Sequence, residues 1–170
     1  MIAETITKKD LRPYDVLCYE KKGFVGRGIQ GFSRSYVNHT SDVDTDLTVW
    51  EAIFNGYKNR TLEESIDSNT VYIIVKRPKF RVNPRIHKGA ISKMKKAKYE
   101  FEGIWYSILR IFGSGWKGDK EVVQDVFCSK ATAYILFCLG VTGYDKYYQM
   151  SPNDILLDFK NFDTYILKLD

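Results

Sequence analysis

The chain is poor in proline, cysteine and histidine: its 170 residues hold four, three and two of them. Three cysteines, at positions 18, 128 and 138, form no disulfide framework, and their spacing matches no zinc pattern. Reduced thiols in a cytosol-like compartment are the simplest expectation. Long hydrophobic runs are missing too. The longest apolar stretch, Ala133–Val141, is much too short to span a bilayer. The opening residues MIAETITKKD lack the apolar segment and cleavage site of a secretory signal. A cytoplasmic protein is expected, and action outside the cell would need another route of export. There is no internal repeat, low-complexity tract or dividing linker, so a single domain over 1–170 is expected. The glycines of Gly23–Gly31 lack the Lys-Ser/Thr ending of a phosphate loop and read as a flexible turn.

Acid is absent from one stretch. Lys76–Lys98 carries ten of the 26 Lys and Arg residues and no Asp or Glu. The rest of the chain holds 16 basic and 21 acidic residues, so the overall charge of +5 is local in origin. A basic surface there would suit an anionic polymer or membrane.

What is present is enough for a core: 44% of residues are hydrophobic and 15% aromatic. Strands are expected at Asp15–Tyr19, over a polar-apolar alternation at Ser35–Thr40, at Thr48–Phe54 closed by the Asn55-Gly56 turn, at Val71–Val75 and at Phe162–Leu169. Helical spacing runs from Ile86 to about Glu102, with a basic opposite face, and a further helical stretch is read at Trp105–Phe112. Ser129–Leu139 reads as a buried central helix stopped by Gly140. Ser151-Pro152 reads as the cap and first turn of a short helix near Ile155–Phe159. Strands followed by helices predict an α+β fold.

Cys128 stands where a polar segment gives way to that apolar helix. The helix dipole and free backbone N–H groups there favour a thiolate, which is the nucleophilic form. Cys138 and Cys18 read as core residues. A general base must come from two histidines. His87, in the most basic stretch, is expected at the surface; His39 is the better candidate. Glu51 sits in an otherwise apolar strand, where an acid must face solvent or find a partner. A return through the Asp42–Asp46 turn would place His39 and Glu51 side by side across a hairpin. The carboxylate would then fix one ring nitrogen and leave the other for Cys128.

With these residues in order, the chain resembles the circularly permuted NlpC-type papain-like cysteine peptidases, a branch related to the lecithin:retinol acyltransferase group. The resemblance runs from about residue 11 to 160. It rests on Pro13-Tyr14-Asp15-Val16-Leu17, Ser35-Tyr36-Val37-Asn38-His39, Val49-Trp50-Glu51-Ala52 and Val126-Phe127-Cys128-Ser129. Tyr14 departs from the Gly-Asp usual in that family, and Thr40-Ser41-Asp42 follows the histidine where a hydrophobic residue is common. The resemblance implies a permuted papain-like fold, an antiparallel sheet packed against a nucleophile-bearing helix. It implies an acyl-enzyme on Cys128, with His39 as base and Glu51 orienting it. It requires no metal or organic cofactor. The expected substrate is an amide bond in a peptidoglycan-like or other peptide. Lipid acyl hydrolysis or transfer on the same triad is the second enzymatic reading; in either case Trp105, Tyr106, Phe112 and Trp116 are candidates to line an apolar groove, and Gly113-Ser114-Gly115 to gate access to the nucleophile. A non-catalytic binding module using Lys76–Lys98 is the third.

Overall fold

The computed structural model describes residues 3–22, 36–53, 55–95, 98–99, 125–126 and 128–169. Nine strands and four α-helices follow one another among them: β1 (Glu4–Ile6), β2 (Val16–Lys21), β3 (His39–Val43), β4 (Val49–Ile53), β5 (Gly56–Arg60), α1 (Leu62–Ser65), β6 (Thr70–Pro78), α2 (Pro84–Met94), β7 (Lys98–Tyr99), β8 (Asp125–Val126), α3 (Cys128–Cys138), α4 (Pro152–Leu156) and β9 (Phe162–Leu167). Seven strands make one sheet in the order β1-β9-β6-β2-β3-β4-β5, antiparallel except for the β1–β9 edge. β7 and β8 form a separate parallel pair. The architecture is α+β, as expected. No described helix is long and apolar enough to cross a membrane.

Alternation along the strands gives the sheet two buried faces. On one, Leu17, Tyr19, Val43, Val49, Ile73, Val75 and Leu167 pack with Ile6, Leu11 and Leu62. On the other, Val16, Cys18, Trp50, Ala52 and Tyr57 meet residues of α2, α3 and α4. Helix α3 is buried at every position from Cys128 to Leu136, which fits its nearly unbroken apolar surface. Its end is a Schellman closure: Gly140 takes φ 74°, its N–H reaches Phe137 O at 2.9 Å, and Val141 N–H reaches Leu136 O at 3.0 Å. Ser151 caps α4 by accepting from Asp154 N–H, with Pro152 in the first turn.

Several expectations need correction. Helix α2 begins at Pro84, capped by Asn83, and stops at Met94 rather than near residue 102. Lys98–Tyr99 instead pairs with β8, so tertiary pairing overrides the helical spacing. The strand expected at Ser35–Thr40 is displaced: His39 opens β3 rather than closing a strand. Asp42 belongs to that strand, and the β3–β4 turn spans Asp44–Thr48, closed by Asp44 N–H to Thr48 O at 2.8 Å. The helix near Ile155–Phe159 ends at Leu156. β1, β5 and α1 were not foreseen. His87 is not at the surface. It is 3% exposed, on the same face of α2 as Ala90, Ile91 and Met94, and its ring meets Tyr14 edge-on at 4.8 Å. Cys138 is only half-buried, at the margin of the core. The expected turn at Gly23–Gly31, the Trp105–Phe112 helix, the four aromatics and the Gly113-Ser114-Gly115 gate lie outside the described residues.

The basic run is not one surface. Lys76 is fully buried, donating to Leu156 O at 2.8 Å, where it caps the end of α4, and to Thr164 Oγ1 at 2.9 Å. Arg77 is tied to the buried Asp15 by bonds of 2.9 and 2.7 Å. Arg81, Arg85, Lys88, Lys93 and Lys95 do face solvent. Tyr14 sits at φ 72°, a left-handed position. Glycine adopts that region freely, and this is the position where the resembled family usually has glycine.

Candidate active site

Three elements converge. The β3–β4 hairpin sets Ser41 opposite Glu51, so His39, two residues back on the same face, is the diagonal neighbour of Glu51. The ring uses that adjacency: His39 Nε2 lies 2.6 Å from Glu51 Oε2. One imidazole nitrogen is thereby committed to the carboxylate, leaving Nδ1 as the other functional atom. Helix α3 presents Cys128 at its first position. The sulfur lies 3.9 Å from Asn38 O, beside the start of β3, and near enough to the His39 side chain for each to favour the charged form of the other. The three residues singled out in the sequence are thus brought together.

Glu51 is 1% exposed, and both its oxygens are occupied. Oε1 accepts from Arg60 Nη1 at 2.8 Å; Oε2 accepts from Ser65 Oγ at 3.3 Å as well as bonding His39. The Ser65 hydroxyl also meets Tyr19 OH at 2.9 Å, and Tyr19 OH meets Ser41 Oγ at 2.7 Å. α1 places Ser65 through a Thr61–Glu64 capping box, and the β4–β5 register sets Arg60 opposite Val49. Arg60, Ser65 and Tyr19 were missed in the sequence. The strand of Arg60 and the helix of Ser65 carry no apolar alternation to betray them, Tyr19 reads as an ordinary residue of an expected strand, and the Thr61-x-x-Glu64 signature is the one signal in the sequence at this corner.

The electrostatics follow from these contacts. Burial opposes charge on Glu51, but the His39 hydrogen bond and charge, with Lys21 and Arg60, hold its carboxyl down at about 2. Burial opposes charge on His39 too; the Cys128 thiolate and Glu51 outweigh it and raise the imidazole to about 9. Burial pushes the Cys128 thiol up, yet the charge and hydrogen bond of His39 and the N–H groups of Thr40 and Ser129 bring it below its usual value. The arrangement favours a thiolate–imidazolium pair, the charge state of an activated cysteine nucleophile. Cys18 is the opposite case: enclosed in the core, its thiol is pushed up to about 12 by burial.

Among the described residues no group of three or more His, Cys, Asp or Glu side chains is arranged to hold a metal ion. The site's own carboxylate and imidazole are engaged with each other, with Arg60 and with the thiol.

No family model matches the chain, and no curated protein does. Among solved structures, the metalloprotein yiiX from Escherichia coli O157:H7 matches 94% of this chain and 97% of its own, with a TM-score of 0.62 and 14% sequence identity. At that identity the likeness is one of fold, and nearly the whole of this chain shares the architecture of yiiX.

Proposed function

We propose that the chain is a cysteine hydrolase of the circularly permuted NlpC-type papain-like class, acting on an amide bond in a peptide-like substrate. The observation that carries the reading is the His39 ring, held by Glu51 through Nε2 at 2.6 Å beside a thiol at the first position of a buried helix, each shifting the other toward its charged form. The Cys128 thiolate attacks the acyl carbon, and the carbonyl electrons move to oxygen. The Cys128 backbone N–H, at the helix start, has no intrahelical partner and is the natural donor to that oxyanion. When the tetrahedral adduct collapses, the C–N bond breaks and the His39 imidazolium gives its proton to the leaving amine. Water, deprotonated by His39, then attacks the thioester; the acid leaves and the thiol is regenerated. Glu51 remains ionised throughout and holds the ring in one tautomer.

The test is the pH dependence of iodoacetamide alkylation, with the labelled cysteine located by mass spectrometry, on the native chain and His39→Ala. Selective labelling of Cys128 well below pH 8, lost in the variant, is expected. It would be followed by turnover assays on peptide amides and on acyl esters. Slow labelling without dependence on His39 would overturn the reading.

A further inference from the structure

Behind the nucleophile lies a second polar cluster, on the opposite face of β3 from the Glu51 clamp. Thr132 is four residues after Cys128, so both project from one side of α3. Its hydroxyl donates to Asp42 Oδ2 at 2.9 Å and lies 3.2 Å from Thr40 Oγ1. All three residues are buried, and both contacts join α3 to β3. Thr40 and Asp42 alternate with His39 and Ser41 along the strand, so the same five residues that carry the base also carry the acceptor for Thr132. The helix and the strand are therefore joined by two successive rungs. The upper rung is Cys128 against Asn38 O and Thr40 N–H. The lower rung, one helical turn on, is Thr132 against Asp42 and Thr40.

An apolar pair would fill this contact as well and avoid burying a carboxyl. What a hydrogen bond adds is a fixed register. The apolar surface of α3 extends round most of the helix and allows sliding or rotation by a fraction of a turn. A hydroxyl bonded to one carboxyl oxygen does not. We propose that Thr132 and Asp42 are positioning residues for the nucleophile, whose bond locks α3 against β3 so that Cys128 meets the Thr40 N–H and the His39 ring together. The inference rests on the hydrolase reading and deepens it. The charged and titratable groups about this rung are Asp42 itself, Cys18 on β2, and Tyr57 on β5, each influenced by the Asp42 charge.

The experiment is the rate of Cys128 alkylation against pH in the full chain, for wild type, Thr132→Val, Thr132→Ser and Asp42→Asn, with thermal unfolding recorded alongside. Thr132→Val keeps the shape and removes the donor. Its alkylation below pH 7 is expected to fall by on the order of tenfold, with the midpoint of the profile moved upward, as for loss of a hydrogen bond between well-ordered groups. Thr132→Ser keeps the hydroxyl and is expected to follow the wild-type profile, as is Asp42→Asn, which keeps an acceptor oxygen. A Thr132→Val profile superposable on wild type, with only the unfolding temperature lowered, would overturn the proposal. So would a Thr132→Ser profile shifted upward, because shape and not the hydroxyl would then be responsible; that comparison decides the matter whether or not the valine variant folds. If wild-type Cys128 itself shows no His39-dependent reactivity, the hydrolase reading falls first. If wild type does and the threonine variants do not differ from it, the positioning role alone falls.

Discussion

Two buried carboxyls lie on neighbouring strands of one sheet, Glu51 on β4 and Asp42 on β3, and the protein treats them in opposite ways. Glu51 receives bonds from three polar neighbours, His39, Arg60 and Ser65. It stays charged, with its carboxyl held at about 2. Asp42 faces the helix side of the sheet and receives one bond, from Thr132. Burial pushes it up to about 7. Depth does not decide the charge of a buried acid, since both are almost fully enclosed: 1% exposed for Glu51 and 3% for Asp42. The number and charge of the donors turned toward it do. The charged carboxylate is the one that must hold an imidazolium. The one whose carboxyl is raised serves as an acceptor between a strand and a helix.

This contrast can be broken most severely at Glu51. Glu51→Ala leaves the imidazole and the Arg60 guanidinium without their buried partner, and a loss of about 3–5 kcal/mol is expected in urea unfolding. His39-dependent alkylation of Cys128 should disappear with it. Arg60→Ala removes one donor and leaves Oε1 without its bond. A loss of about 1–3 kcal/mol is expected by the same measurement, with Cys128 still the most reactive thiol. The smallest effect belongs to Asp42→Asn, and it is seen in the shape of a curve. The Asp42 carboxyl is raised by folding, so its contribution is fully present below the ordinary carboxyl range and is lost as pH rises through about 7. Glu51 is depressed by folding, so its contribution is present above the ordinary range and is lost as pH falls toward about 2. Thermal unfolding from pH 4 to 9 should show a decline between about pH 4 and 7 in wild type that Asp42→Asn removes, whereas the decline above neutrality, which follows the raised His39, stays in Asp42→Asn. An unchanged decline between about pH 4 and 7 in Asp42→Asn would show that another group causes it.

The trio of Cys128, His39 and Glu51 was legible because each member has a local signature. A cysteine at the edge of an apolar helix, a histidine before a turn-bearing segment and an acid in an apolar strand are each visible one residue at a time. The hairpin that joins His39 to Glu51 was legible from the turn residues between them, although the turn itself lies two residues later than its composition indicated. The clamp behind Glu51 was not legible. Arg60 and Ser65 earn their roles from the β4–β5 register and from the seating of α1, which are long-range facts. Asp42 was read as a turn residue for the same reason: nothing local distinguishes an aspartate in a turn from one at the end of a strand facing a helix. His87 is a different failure. Ala90, Ile91 and Met94 follow it at core spacing and place it inside, but the lysines and arginines around it pointed outward. The basic run misled in the same way at Lys76, whose strand position turns it toward Leu156 and Thr164.

The burial of His87 has a consequence for how this protein will look to a spectroscopist. The chain contains two imidazoles and no more. Burial lowers the protonation range of His87, with the charge of Asp44 only partly opposing it, while His39 is raised to about 9. Near neutrality the shifts favour the doubly protonated ring at His39 and the singly protonated ring at His87. Their ring-proton resonances therefore move in separate pH windows, one acidic and one alkaline, and neither obscures the other. A chain with so few histidines thus carries its own reporter of the protonation of His39, readable without label, substrate or substitution.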